Sequence, residues 1–333
     1  MLTNLEERLI QLYKESAIAA IGGGTGLSTL LRGLKNYTDK LAAIVNVTDN
    51  GGSSGMLREN LGMLPPGDIR NCLLALADTE PLMEKVFQYR FTAGEGLKGH
   101  TLGNLFIAAL TETLGFEGAL DAASKVLAVK GSVLPVTLEK LTLVAVFDDG
   151  CEVYGESQIT AAKRKIKRLR LDPPCSRVYP AAERAILESD IVVVGPGSLY
   201  TSVLSNLLVP GVTEALRCSR ARRIYICNVM TQPGETDGFS ASDHVHAIFD
   251  HVGDSIFDTV IVNSNRYVPA ALLDKYAAEE RFPVNADVTK LKKLGLEVLA
   301  ADLLAPQELV RHDSNRLARL VLSDLRMSHW RVC

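Results

Sequence analysis

Short apolar runs recur along the chain, and a turn and then a helix-like spacing follow most of them. The clearest runs are Ile18–Ile21, Leu41–Val47, Ile191–Val194, Ile224–Cys227 and Thr259–Val262. Ile191-Val192-Val193-Val194 shows no polar alternation, which suits a strand buried on both faces. Strands that alternate with helices predict a parallel sheet with helices on both sides, joined by right-handed crossovers.

The middle of the chain reads differently. Leu134–Val136, Leu141–Val146 and Cys151–Tyr154 are short strands separated by tight turns, Asp148-Asp149-Gly150 among them. Ser132 to Glu156 therefore reads as an antiparallel excursion. Residues 57 to 128 read as mainly helical, with helices beginning near Asp68, Pro81, Thr101 and Phe116. The strands at 18–47 and those after 190 are expected to share one sheet. Segment 57–165 is then a largely helical plus hairpin insertion in a single α/β domain covering 1–333.

Composition narrows the class. The chain has 333 residues, 47% hydrophobic and 23% charged, with a formal net charge of -3. It can bury a large core without disulfide or metal staples. The charge offers no footprint for nucleic acid or an anionic membrane surface. The six cysteines, Cys72, Cys151, Cys175, Cys218, Cys227 and Cys333, show no zinc-ligand spacing. They read as mostly buried thiols of a reducing compartment. Met1 to Glu15 reads as an amphipathic helix and not a signal peptide, because charges interrupt its apolar residues. No run suffices for a membrane span, and a cytoplasmic location is expected.

Six segments carry candidate chemistry. The first is Gly22-Gly23-Gly24-Thr25-Gly26, between an apolar strand and a helix. Glycines allow close backbone approach, and the helix start offers unpaired N–H groups and a positive dipole end to an anion. Position six counted from Gly22 is Leu27, so the dinucleotide fingerprint is missing, and no Gly-Lys-Ser/Thr follows. The alternative is a turn that serves strand–helix packing. Four glycines in five positions exceed that need, so the anion reading is favoured.

The second segment is Thr48-Asp49-Asn50-Gly51-Gly52-Ser53-Ser54-Gly55. Asp49 can meet a ribose or hold a divalent cation beside a phosphate, and is a candidate catalytic residue with His100. Gly-Gly-Ser-Ser-Gly can wrap a phosphate or form a mobile flap; an ordinary Asx turn at Asp49-Asn50 is the plain alternative. In the third segment, Asp68 reads as an N-cap, while Arg70 and Asn71 in a first helical turn suggest an answer to an anion. In the fourth, His100 is either a general acid/base or a helix-start residue, and Asn104 a ligand contact.

Gly195-Pro196-Gly197-Ser198-Leu199 repeats the strand, glycine turn and helix start of the first segment. Two such turns on one sheet edge match where open α/β sheets bind ligands. After Ile224–Cys227, Asn228, Thr231 and Gln232 can read a base or sugar, Glu235 is a base or metal-ligand candidate, and Met230 reads as core. His244 and His246 cannot share a helix face. Tyr267 can stack on a ring. Asp313 suits an N-cap of the last helix, with Arg311 and His312 either approaching an anion or simply flanking a surface cap.

Taken in order, Gly22–Ser28, Thr48–Arg58, Pro65–Leu73, Gly99–Leu105, Gly155-Glu156, Gly195–Ser202, Asn228–Thr236, Asp243-His244 and Arg311-His312-Asp313 resemble the gluconeogenesis-factor (YvcK-like) family of bacteria. That family is related to 2-phospho-L-lactate transferase (CofD). The resemblance implies a Rossmann-like three-layer α/β/α fold with a mostly parallel sheet. It implies binding of a UDP-sugar such as UDP-N-acetylglucosamine or UDP-glucose, and a role in carbon metabolism and cell shape during gluconeogenic growth. By analogy, Gly24, Thr25, Asp49, Asn50 and Gly51 would surround phosphates, while Asn228, Tyr267 and Arg311 would meet the sugar or base. Ser314 falls where a regulatory phosphate would meet a favourable helix dipole.

Two readings stand: a nucleotide-sugar sensor acting through a regulatory protein partner, and a transferase moving a phosphate-linked group to an alcohol. The absence of a Lys/Arg cluster in the glycine loops tilts toward the sensor. No cofactor is required; Mg2+ enters only in the transferase reading, on Asp49. A homodimer is expected from the family and the prevalence of two-fold oligomers.

Overall fold

The structure, a computed structural model, describes residues 11–78, 81–254, 256–265, 270–305 and 311–330. Of the expected N-terminal helix, residues 11–15 are described and helical.

Among the described residues, ten strands form two sheets. They are β1 (Ile18–Gly22), β2 (Leu41–Val45), β3 (Ser132–Pro135), β4 (Thr142–Phe147), β5 (Glu152–Tyr154), β6 (Ile166–Asp172), β7 (Ile191–Val194), β8 (Arg222–Ile226), β9 (Thr259–Asn263) and β10 (Glu297–Ala301). The main sheet has the order β10-β9-β8-β7-β1-β2-β3, and every neighbouring pair in it is parallel. The chain steps outward from β1 to β3, then restarts at β7 on the other side of β1. The reversal falls between β1 and β7, the switch point at which such sheets open a crevice.

Alternation along the strands builds the two covering layers. Ile18, Ala20, Ile191 and Val193 pack on one face with helices α1 (Gly24–Leu34), α2 (Gly52–Leu61), α3 (Gly67–Leu76), α4 (Leu102–Val126) and, from the chain end, Ser314–Trp330. Ala19, Ile21, Val192 and Val194 pack on the other with Ala182 and Ile186 of Pro180–Glu188, Val245 and Ile248 of α5 (Ala241–Val252), and the small sheet. The continuous apolar runs are thus strands buried on both faces, in a three-layer α/β/α fold.

The antiparallel excursion starts later and runs further than its turns suggest, from Thr142 to Asp172. β4, β5 and β6 form an antiparallel sheet in the order β5-β4-β6. β3 instead joins the main sheet, parallel to β2. Tight turns mark where a chain bends, and leave open which strand it pairs with. Gly115, at φ +72°, breaks α4 just before Phe116. Cys72 and Cys227 are buried; Cys151, Cys175 and Cys218 are exposed, since they lie in a hairpin turn, a Pro-Pro loop and a helix end. Among the described residues no helix is long and apolar enough to cross a membrane.

Candidate functional site at the sheet switch point

β1 ends in the glycine loop, and α1 begins at Gly24, whose φ of +63° is a conformation other residues rarely adopt. Gly23 caps α1 without a side chain, so no hydroxyl or carboxyl of the cap residue covers the first turn. A Cβ on Gly26 would stand 2.3 Å from the Pro196 carbonyl oxygen. The helix start therefore rests directly on the loop that follows β7, and the two glycine turns form one structure.

Beside them lies a cleft of about 280 Å³. Of the residues expected to bind a ligand, Thr25, Gly26, Gly197, Ser198, Asn228, Thr231, Gln232 and Arg311 line it. Several already have partners. Asn228 Oδ1 accepts the Gly197 N–H at 3.1 Å and so fixes the second loop. The Ser198 hydroxyl donates to Glu235 and caps the following turn by accepting from the Thr201 N–H. The Thr231 hydroxyl accepts the Phe282 N–H at 2.9 Å. Gly195 and the fully buried Leu199 support the loop from behind. Tyr267 lies outside the described residues.

Charge reaches the cleft from the far end of the chain. Arg281 and Arg311 both line it; Arg281 stands 3.6 Å from Glu279, and Arg311 is exposed with no ion-pair partner among the described residues. Arg281, Tyr276 and His312 complete the wall beside Val229 and Met230. Met230 belongs to a small apolar cluster with Val229 and Tyr276, so it is both packed and lining. His312 lines the cleft as a buried ring: burial pushes its imidazole down to about 4, so it carries no charge near neutral pH. Asp313 caps the last helix, accepting the Asn315 and Arg316 N–H groups.

The back of the glycine loop is acidic. Asp68 is the second residue of α3, whose cap is Pro66. It does not cap its own helix; its carboxyl accepts the Gly24 N–H. Burial pushes that carboxyl up to about 6, opposed by the Gly24 bond and reinforced by Asp49. Glu156 is held well above its ordinary range by burial and then by Asp49 and Asp68, although the Thr48 hydroxyl donates to it at 3.1 Å. Burial also raises Glu235. Glu156 opens the helix that follows β5 and Gly155, and in the sequence only the family resemblance marks it.

The Asp49 loop is tied down. Asp49 Oδ1 accepts the Gly51 N–H at 2.8 Å, an Asx turn. Asn50 accepts from Ser157 N–H and donates to Gln158. Gly-Gly-Ser-Ser-Gly is the first turn of α2, so it is neither a wrapping loop nor a flap; Ser54 there accepts the Gly67 N–H. Among the described residues no three His, Cys, Asp or Glu side chains converge as metal ligands.

A third polar group stands apart from the cleft. His100 Nδ1 and Ser53 Oγ are 3.0 Å apart, and Asn104 Nδ2 donates to Ser53. Arg70 donates to Asn104 Oδ1, Asn71 Oδ1 and the Thr101 hydroxyl. The two terminal nitrogens of Arg70 thus serve its own neighbours, while its buried Nε has no partner among the described residues. These four expected residues meet one another beneath the start of α2.

Residues 18–304 match the family described as 2-phospho-L-lactate transferase CofD. Relatives named gluconeogenesis factor are similar over most of the chain. The one from Halalkalibacterium halodurans is 47% identical, covering 93% of this chain and 96% of its own. The one from Bacillus subtilis is 47% identical, covering 93% and 98%. The chain belongs to the CofD family, on its gluconeogenesis-factor branch. A crystal structure of a Bacillus halodurans protein has 47% identity and a TM-score of 0.90, covering 93% of this chain and all of that one. Within this family frame, the glycine loops, Asn228 and Arg311 converge on one cleft, while Arg70, Asn71, His100 and Asn104 form another group.

Proposed function

We propose that the chain binds a nucleoside-diphosphate sugar, UDP-N-acetylglucosamine or UDP-glucose, in this cleft, and that it acts as a cytoplasmic regulator of carbon metabolism and cell shape during gluconeogenic growth. The names of its relatives support the gluconeogenic role. One observation carries the ligand: a helix start whose cap residue is a glycine, two arginines and an apolar wall meet in a single cleft. Amide donors and guanidinium groups suit phosphates, and the wall of Val229, Met230 and Tyr276 suits a ring.

Thermal denaturation with UDP-sugars, nucleoside diphosphates and NAD tests it. A ligand at a hundred times its Kd adds about 2.7 kcal/mol of stability. A shift with NAD and none with uridine nucleotides would overturn the proposal.

The transferase reading has its own support in the carboxyls Asp68 and Glu156, which stand beside the glycine loop with raised proton affinity and suit a proton acceptor for an alcohol. Released UDP or UMP on incubation with a UDP-sugar and an alcohol acceptor would favour it over the sensor.

A further inference from the structure

A basic run borders the cleft without lining it. Six of the eight residues from Lys163 to Arg170 are lysine or arginine and none is acidic, in a chain of net charge -3. Ile166 and Leu169 are buried and hold β6 to the core. Lys163 pairs with Glu280 at 3.5 Å, Arg164 with Asp149, and Arg170 with Glu152 at 2.7 Å. Lys165, Lys167 and Arg168 are exposed and have no ion-pair partner among the described residues. Lysines on an edge strand commonly keep other strands away. β6 is an edge strand, but the His251 ring of α5 already accepts the Leu169 N–H at 3.0 Å on that edge. Edge protection therefore leaves the three free charges unexplained. The run is also built onto the cleft wall. A Cβ on Gly234 would run into the Lys163 backbone, and Gly234 lies two residues beyond Gln232, which lines the cleft. Lys163 Nζ holds Glu280, next to the cleft residue Arg281. The residue that opens the basic run thus touches both segments that bring Gln232 and Arg281 to the cleft.

We propose that Lys165, Lys167 and Arg168 are the surface on which an acidic segment of a protein partner docks, and that the ligand in the cleft alters this docking through Lys163. This rests on the reading of the chain as a regulator that binds a nucleotide sugar. Charge complementarity selects the partner. The three free cations span about 10 Å of extended backbone, a rise that an extended acidic segment shares. Nucleic acid fits poorly. The neighbouring aromatic faces, Phe147 and Tyr154, are covered by Arg164 and Arg170 and offer bases no stacking platform. Asp149 and Glu152 stand beside the run as ion-pair partners and repel a continuous row of phosphates. A membrane surface needs apolar side chains next to the charges, and among the described residues Tyr154 is the only large hydrophobic side chain exposed on the small sheet.

Fluorescence anisotropy of a fluorescein-labelled oligoglutamate peptide tests the assignment on the full chain, with and without saturating UDP-N-acetylglucosamine. The wild-type chain should bind the peptide, more weakly as salt rises. The triple variant Lys165→Glu/Lys167→Glu/Arg168→Glu should lose at least about tenfold in peptide affinity and keep UDP-N-acetylglucosamine affinity within about threefold. Lys98→Glu/Lys292→Glu/Lys293→Glu makes the same change of net charge on other exposed lysines. Its peptide affinity should stay within about threefold of wild type, because distant exposed charges are screened. The nucleotide sugar should change wild-type peptide affinity at least about fivefold. No peptide binding by the wild-type chain, equal losses in the two triple variants, or tighter wild-type binding of an oligouridylate or of phosphatidylglycerol vesicles overturns the docking surface. An unchanged peptide affinity with the nucleotide sugar bound overturns its link to the cleft. Peptide binding by a wild-type chain that binds no UDP-sugar overturns the reading of the cleft and leaves the docking surface standing.

Discussion

The Asp68 carboxyl accepts the Gly24 N–H at the head of α1, although Asp68 belongs to a different helix, α3. The contact brings a side-chain anion to a helix start that suits ligand anions, and it ties α3 to the glycine loop. With its proton affinity raised from 3.8 to about 6, Asp68 binds a proton more readily folded than unfolded. The folded chain therefore loses stability as pH rises from about 4 through about 6, and the loss is complete above that window. Asp68→Asn should raise stability at pH 7.5 by about 1–2 kcal/mol, after the weakened Gly24 bond is set against the relieved burial. The gain should vanish near pH 4. Urea denaturation at the two pH values checks this, and an equal effect at both would contradict it.

Gly24 and Gly26 should fail in different ways. Gly26→Ala drives a methyl group against the Pro196 carbonyl, which costs about 1–3 kcal/mol and separates the two glycine turns. Gly24→Val meets open space but must hold φ near +63°, costing about 1–2 kcal/mol. Gly24→Val should stay folded and lose UDP-sugar binding. Denaturation midpoints paired with titrations distinguish the two effects.

Arg311 and Arg70 provide a second contrast. Arg311 is exposed, so Arg311→Ala should change stability by less than about 0.5 kcal/mol and lower nucleotide affinity at least about tenfold, the loss of one charge-assisted bond. Arg70→Ala removes the donor to Asn104, Asn71 and Thr101. It should cost about 2–3 kcal/mol of stability and leave the affinity of the folded protein nearly unchanged. Reversed outcomes would move the anion contact to Arg70.

Much of the fold was legible because a parallel strand buried on both faces carries its signature locally. Ile191–Val194 is apolar at every position. β6 was missed because Ile166-Lys167-Arg168-Leu169-Arg170-Leu171 carries charges on its exposed side, and β10 because Glu297-Val298-Leu299-Ala300-Ala301 resembles helix. The first turn of α2 defied its glycine and serine propensity because Ser54 holds Gly67 and the Asp49 turn holds Gly51. At the site, both glycine turns could be read, since backbone geometry demands that residue type in place. Arg281 could not, because it reaches the cleft only through tertiary packing; His312 could be read as a neighbour of the site but not as a buried ring, and Glu156 only from the family resemblance.

The phosphate end of the cleft is tested most directly by titrating UDP-N-acetylglucosamine into the full-length chain and its Arg311→Ala and Gly24→Val variants. The account predicts saturable binding at one site per chain, weakened at least about tenfold in Arg311→Ala and lost in Gly24→Val with both variants folded. No binding to the wild-type chain, or wild-type affinity in Gly24→Val, would contradict it.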